Sequence, residues 1–323
     1  MKAFITGGAG FIGSSMTDRL LLGPSNSVTV FDNFSSGETG FLHHIPRSER
    51  FQLIMGDLLD SKLLQQSIGG HDIVFHFASN PNIARGAEDP TLDLQQSVVA
   101  THNVLEAMRH TGVRKLVFLS GSGVYGDVGG KPTDEDFGPL LPVSMYGAGK
   151  LGAEAFISAF AQMFEIRSYI FRPANIVGAR QTHGVAFDFI KQLSAHPAHL
   201  EVLGDGRQSK SYLHVDDLLD AIFFVLAMVE ERVNVYNVAT QDAIEVAWIA
   251  RAVIETMGLS DVQINYAGGS KGWPGDVPVV RLNTDKIRRF GWTPKYDSSQ
   301  AMKLAITQML DRLRQGTAQQ EAR

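Results

Sequence analysis

The octet Thr6-Gly7-Gly8-Ala9-Gly10-Phe11-Ile12-Gly13 constrains this chain more than any other stretch. A short apolar run, Ala3-Phe4-Ile5, precedes it and reads as a buried strand. Ser14 to Leu22 follows, with Ile12, Met16 and Leu20 at helical spacing. The context is strand, glycine turn, helix. Gly7 permits the tight turn, Gly10 lets the backbone approach a pyrophosphate, and Gly13 lets the helix pack close on the strand. The helix N-terminus offers free N–H groups and the positive end of its dipole to phosphates. The run Val28-Thr29-Val30-Phe31 ends in Asp32, about 20 residues past the glycines, where a carboxylate can accept from adenosine ribose hydroxyls. An acid there repels a 2′-phosphate, so the pattern predicts NAD rather than NADP. The plainer alternative is a glycine turn in an ordinary α/β protein with a surface aspartate.

The chain has 323 residues, enough for two modest domains or one large one. A net charge of −5 gives no basic surface for nucleic acid. There are no cysteines, which excludes disulfides, thiolate zinc sites and cysteine nucleophiles. The His43-His44 pair reads as solvated loop histidines, so no metal site is expected. The longest apolar run, Ala221 to Val229, is too short to span a bilayer. The first residues enter a strand without a basic region and cleavage site, so no signal peptide is expected and a cytoplasmic enzyme is the default.

Strands at Phe51–Ile54, Asp72–Ser79, Val113–Ser120 and Arg167–Arg172 alternate with helices from Ser61, over about 92–110 and over 146–164. Strands separated by helices give parallel crossovers, hence an α/β fold with a doubly wound parallel Rossmann sheet. Asp57 ends one strand, where it could accept from an adenine amino group or cap the helix from Ser61. From Asn175 the pattern changes: loop, a helix over Val185–Leu193, a strand at Glu201 running into a turn, Tyr212 to Val229 as a strand end and long helix, and a strand over Val235–Val238. Helices are expected over Ile244–Met257 and Leu304–Leu313. The expected division is a NAD-binding domain of 1–175 plus about 212–241, interleaved with a smaller α/β substrate domain of 176–211 plus about 242–316. A polar tail, 317–323, is expected to fray.

The chemistry sits past the strand ending at Ser120. Gly121-Ser122-Gly123-Val124-Tyr125-Gly126 follows, and then Tyr146 and Lys150 as a Y-x-x-x-K pair on one helix face. An ammonium there can hold the phenol's pKa down from about 10 toward neutrality. Such a tyrosine removes a proton from a hydroxyl while hydride leaves the same carbon, and the lysine can bond the nicotinamide ribose. The alternative is a surface Tyr–Lys contact.

These stretches, with HFAS (76–79), VYGD (124–127), RPANIVG (172–178), LGDG (203–206), SYLHVDDL (211–218) and PGDV (274–277), resemble the extended short-chain dehydrogenase/reductases of the NAD-dependent nucleotide-sugar epimerase/dehydratase type. The likeness covers nearly the whole chain and is nearest to the UDP-glucose (UDP-galactose) 4-epimerase branch. It implies that Tyr146 takes the proton of a sugar 4-hydroxyl, that C4 gives hydride to tightly held NAD, and that the 4-ketose turns over before hydride returns. It implies a cofactor site in which Gly7, Gly10, Phe11, Ile12 and Gly13 meet the pyrophosphate. Asp32, Asn33, Ser35, Ser36, Gly37, Asp57 and Leu58 would surround the adenosine, and Phe77, Ala78, Ser79, Ser97, Ser120, Tyr146, Lys150 and Pro173 the remainder. It implies a UDP-sugar site in which Asn175 contacts the phosphate or sugar, Val185, Phe187, Val202 and Leu203 border the uracil, and Lys210, Trp273 and Asp276 lie near the diphosphate and ribose. It also implies a homodimer through a four-helix contact, with Val98, Val104, Leu105, Met108, Leu151 and Phe156 as apolar candidates.

The chain departs from its relatives at four places. The usual Ser or Thr four residues before Tyr125 is Gly121, so Ser122 becomes the candidate hydroxyl, with Ser120 next. The usual diphosphate arginines are Lys210 and Trp273, with Lys271 or Arg281 as candidate helpers, and the usual asparagine is Ser97. The acid pair of a 4,6-dehydratase is replaced by Ser122 and Gly123, which leaves epimerisation. A UDP-glucuronate 4-epimerase would need a donor for the uronate, Arg85 or Arg180. A non-catalytic NAD-binding sensor or scaffold is the alternative outside enzymes.

Overall fold

A computed structural model describes residues 1–321 apart from Pro274. In chain order the elements are β1 (Lys2–Thr6), α1 (Phe11–Leu21), β2 (Ser27–Asp32), β3 (Phe51–Met55), α2 (Ser61–Ile68), β4 (Ile73–His76), α3 (Pro90–Asp93), α4 (Ala100–Thr111), β5 (Lys115–Leu119), α5 (Met145–Phe164) and β6 (Arg167–Pro173). There follow β7 (Asn175–Val177), α6 (Val185–Ala195), β8 (His199–Val202), β9 (Ser209–Lys210), β10 (Tyr212–His214), α7 (Val215–Met228), β11 (Val233–Val238), β12 (Ile244–Glu245), α8 (Val246–Met257), β13 (Gln263–Tyr266), β14 (Val279–Val280), α9 (Asp285–Arg289) and α10 (Ser298–Glu321).

Seven strands form one parallel sheet in the order β3-β2-β1-β4-β5-β6-β11. The order reverses between β1 and β4, and in such sheets ligands bind outside the strands' carboxyl ends at that reversal. Both faces are covered, so the strands read as continuous apolar runs. One core lies on the side of α1 and α7, with Met16, Leu20, Leu218 and Ile222. The other lies under α2, α4 and α5, with Leu64, Val104, Met108 and Ile157. A third core joins α6, α8 and α10 through Ile190, Val253 and Ile306. It sits beside three small sheets: β10 with β7, β12-β9-β14, and β13 with β8.

Several expectations change. Ile244 and Glu245 form a strand against β9 before the helix begins at Val246. The expected single helix over 92–110 is α3 and α4 joined by a wide π turn, Leu94–Val99. The cap of α2 is Asp60, which accepts from Leu63 N at 3.0 Å. Helical backbone continues in α10 to Glu321, through most of the stretch expected to fray; residues 322 and 323 lie outside the described residues, as does Pro274 of the PGDV motif. Val104, Leu105 and Met108 are buried in their own protomer's core, so they are withdrawn as dimer-face candidates. Phe156 is 42% exposed, and Val98 and Leu151 are half-buried.

Polar groups inside the sheet are fully engaged at two points. His76, on β4, bonds Thr6 Oγ1 at 2.7 Å and Thr101 Oγ1 at 3.0 Å, which ties β1 and α4 to the reversal point. Burial and the charge on Lys150 push its pKa down to about 3, so the ring is neutral. Arg172, on β6, donates to Glu154 of α5 through Nε and Nη2, and to Tyr125 through Nη1. Both members of that ion pair are almost wholly buried. Replacing Arg172 with Met would leave a carboxylate without its counter-ion. We predict a loss of about 3–5 kcal/mol of stability, read as a lowered midpoint in urea denaturation.

Candidate functional site

The carboxyl ends of β1, β2, β4, β5 and β6 open into a cavity of about 630 Å³ that continues against α6, β9 and the turn around Trp273. The glycine turn forms one wall. Gly7 adopts φ +68°, and a Cβ there would stand 2.7 Å from the backbone of Ala78. A Cβ on Gly13 would stand 2.2 Å from Gly7 O, so the turn and α1 meet backbone to backbone. No side chain caps the N-terminus of α1, so the first-turn amides face the cavity wall.

Asp32 stands at the end of β2. Its Oδ2 accepts from Ala9 N and its Oδ1 from Phe34 N, each at 2.8 Å. Burial raises its pKa, and those two N–H groups work in the opposite direction. Asp57 accepts from Asn33 Nδ2 at 2.9 Å and from Leu59 N at 2.8 Å, so the adenosine-side candidates form one connected rim. Ser35, Ser36, Gly37 and Leu58 line the same end. Phe77, Ala78, Ser79, Ser120 and Pro173 line the middle, where the Ser79 hydroxyl is buried without a hydrogen-bond partner. A glycine cradle with free helix amides and a carboxylate beyond it fits a dinucleotide.

Tyr146 and Lys150 enter from α5, whose start is fixed by the Ser144 hydroxyl accepting from Gly147 N at 3.1 Å. Both line the cavity. Lys150 Nζ donates to Leu119 O at 2.8 Å and lies 5.6 Å from the Tyr146 ring centroid. Burial pushes the ammonium down to about 8, opposed by Asp93 and Glu154. The expected acidification of the phenol is not a property of the protein alone. Burial, with a further push from Asp93, raises Tyr146 to about 12. The leading cause is desolvation: a buried phenolate loses its hydration.

Gly121 faces this phenol in extended backbone, and a Cβ there would stand 3.8 Å from Tyr146 Oη as its nearest neighbour. A serine would therefore fit. Ser122 is half-buried and lines the cavity. Ser120 is committed elsewhere: its hydroxyl donates to Glu154 Oε1 at 2.5 Å.

On the other side the cavity is lined by Asn175, Val185, Leu203, Lys210, Trp273 and Asp276. Lys210 Nζ donates to Asp276 Oδ1 at 2.7 Å, and Asp276 Oδ2 accepts from Gly272 N at 3.0 Å. Val202, Phe187 and Ser97 do not line it. Val202 alternates with Glu201 and Leu203 along the chain and points into the third core. Phe187 packs against that core, one position off the residues of α6 that face the cavity, Val185, Ala186, Asp188 and Phe189. Ser97 is buried behind α5, where Gly149 packs on it. The candidate helpers Lys271 and Arg281 are not lining residues, and Lys271 pairs with Asp127 at 3.5 Å. Arg85 is exposed, and Arg180 donates to Asp18 at 2.6 Å; neither lines the cavity.

The sequence reading missed Gln181, His183, Asp188, Gln192, Glu201 and Gln208 as lining residues. The helical spacing of Val185, Asp188 and Gln192 was the available signal for part of that wall.

The family model for the NAD dependent epimerase/dehydratase family matches residues 3–239. The UDP-glucose 4-epimerase of Mycolicibacterium smegmatis is 35% identical over 227 residues, 68% of this chain and 72% of that protein. A crystal structure of a UDP-galactose 4-epimerase superposes with a TM-score of 0.86 at 37% identity, covering 97% of this chain and all of that one. A UDP-glucuronic acid 4-epimerase from Bacillus cereus, in complex with UDP-glucuronic acid and NAD, has a TM-score of 0.85 at 26% identity, covering 97% and 100%.

The backbone contact at Gly13 yields a direct prediction. Gly13→Ala forces a methyl onto a carbonyl that cannot swing aside, so the turn must shift. NAD affinity, measured by fluorescence titration, should fall at least about tenfold, while Tyr146→Phe leaves it nearly unchanged.

Proposed function

The chain belongs to the NAD dependent epimerase/dehydratase family, and from that premise we propose that it interconverts the C4 epimers of UDP-hexoses through a 4-keto intermediate. The observation that carries this reading is the Tyr146–Lys150 pair opening into the cavity that also contains the glycine turn. Tyr146 takes the proton of the sugar 4-hydroxyl and returns it on the reverse step. Lys150 holds a positive charge beside it. NAD, the family's cofactor, supplies the hydride acceptor and a positive ring that offsets the burial acting on Tyr146. The Lys210–Asp276 pair, Asn175 and Trp273 hold the UDP group while the sugar turns.

The related reactions fit less well. Positions 122 and 123 are serine and glycine, so water elimination lacks its acid and base. Neither Arg85 nor Arg180 lines the cavity, and Arg180 is paired with Asp18. The intact tyrosine–lysine pair supports an enzyme over a sensor or scaffold.

Incubation of the purified holoenzyme with a panel of UDP-hexoses, UDP-N-acetylhexosamines and UDP-uronates, followed by product NMR, tests the assignment. UDP-glucose and UDP-galactose should interconvert without added reductant. The half-buried Val280 lines the cavity; by resemblance to the family it stands near the sugar 2-substituent, and its small side chain leads us to expect that acetylated sugars turn over as well. Conversion of uronates alone would overturn the reading. Tyr146→Phe should lower kcat about 100-fold or more with NAD still bound.

Gly121→Ser tests the missing hydroxyl. One added hydrogen bond at the reacting oxygen should raise kcat about two- to tenfold. An unchanged rate would mean that Ser122 or solvent already fills the role.

A further inference from the structure

The segment that follows β2 borders the adenosine end of the cavity and is fastened from outside it. Ser35, Ser36 and Gly37 line the cavity. A Cβ on Gly37 would stand 2.9 Å from Ala9 Cβ and 3.0 Å from Asp32 Oδ1, so this stretch lies directly on the glycine turn and its carboxylate. Glu38 N donates to Ala9 O at 2.9 Å. A single 3₁₀ turn, Thr39–Phe41, comes next and buries Phe41 to 4% exposure. Two guanidinium groups meet its ring. Arg312 Cζ stands 4.2 Å from the ring centroid and Arg180 Cζ 5.8 Å, both within cation–π range.

Each arginine is itself tied down. Arg312, on α10, donates through Nη2 to Glu38 Oε2 at 2.6 Å and through Nη1 to Ala179 O at 3.5 Å. Arg180 donates through Nη2 to Asp18 Oδ2 at 2.6 Å, and Asp18 Oδ1 lies 2.8 Å from His44 Nε2. Separate stretches of chain thus converge on Phe41: α1 through Asp18, the 38–44 segment, the loop at 179–180, and α10. The first two carry the dinucleotide wall. α10 belongs to the third core with α6 and α8, and Gln181, next to Arg180, lines the cavity. Asp18, Glu38, Phe41, Arg180 and Arg312 do not line it, so chemistry at the sugar makes no use of them.

We infer that Phe41, gripped by Arg180 and Arg312, is a clasp that keeps the dinucleotide resident. The 33–38 segment can lift from the glycine turn only if the ring leaves both guanidinium groups and the Glu38–Arg312 pair parts. The clasp therefore governs how fast the cofactor leaves, and a helix of the third core holds one side of it. The inference needs only the family's cofactor and holds for whichever sugar the other end takes. A reaction that lends a hydride and takes it back needs a cofactor that stays for both steps.

The test is a release rate. Protein loaded with NADH is mixed with a large excess of NAD, and the decay of bound-NADH fluorescence gives the dissociation rate. Phe41→Ala removes the ring. Arg312→Met keeps an apolar stem and removes the charge and the tie to Glu38. Each should speed release at least about tenfold. Arg19→Gln is the control: it breaks the 2.7 Å pair with Asp220 that joins α1 to α7, one residue from Asp18, and should leave release unchanged. If Phe41→Ala does not fold, Arg312→Met decides alone. Release unchanged in these variants, or accelerated as much by Arg19→Gln, overturns the proposal. Faster release in a protein that turns over no UDP-sugar would retain the clasp and reject the proposed activity.

Discussion

The bond from Lys150 Nζ to Leu119 O is the contact on which the rest of the site depends. It joins the second turn of α5 to the carboxyl end of β5, and an ammonium buried there carries a heavy desolvation cost. The surroundings offset that cost in several small ways. The Phe118 ring lies 5.0 Å from Nζ and the Tyr146 ring 5.6 Å, both within cation–π range. Asp93 and Glu154 add opposing charge. With Lys150 held, the rotation of α5 about its axis is set, and the residue one turn earlier must face the cavity.

That anchoring would be loose if the strand behind it could slide. Arg172 of β6 reaches Glu154 of α5 and the Tyr125 hydroxyl, and Tyr125 donates in turn to Asn237 of β11 at 2.8 Å. Asn237 N donates to Glu135 Oε1 at 2.7 Å. A buried network fully satisfied in this way is stiff, because any displacement leaves a charge or amide without a partner. The strands holding the floor of the cavity are thus locked by polar contacts, and the helices over them by apolar packing.

The legible parts of this arrangement are those written in local spacing. Gly7, Gly10 and Gly13 with Asp32, and Tyr146 with Lys150, are each separated by a number of residues that one turn, one strand or one helical step fixes. Val202 and Phe187 face the core and not the cavity, because the side-chain period of a strand is two and the useful face of a helix is narrow, so one position exchanges cavity for core. Asp93 and Asn80 carried no local signal: they meet across 13 positions of irregular chain, and nothing in either neighbourhood announces a buried carboxylate. The direction of the Tyr146 shift was unreadable for a related reason. Charge pairs can be seen in a sequence, whereas desolvation depends on what the finished fold excludes.

The two ends of the cavity are built on opposite principles, and the difference follows from their secondary structure. The dinucleotide end uses backbone against backbone at Gly7 and Gly13, so its shape changes only if the turn itself changes. The far end is made by strands two residues long, β9, β12 and β14, which carry side chains on a narrow support. Its lysine is already spoken for: Lys210 is paired with the buried Asp276, and Asp276 also holds the amide of Gly272. An anion entering there would share one ammonium with Asp276, and a lysine does not offer the planar two-pronged grip of a guanidinium. Grip on that side must come from several modest contacts acting together, which is the condition under which a held group can still let its far end turn.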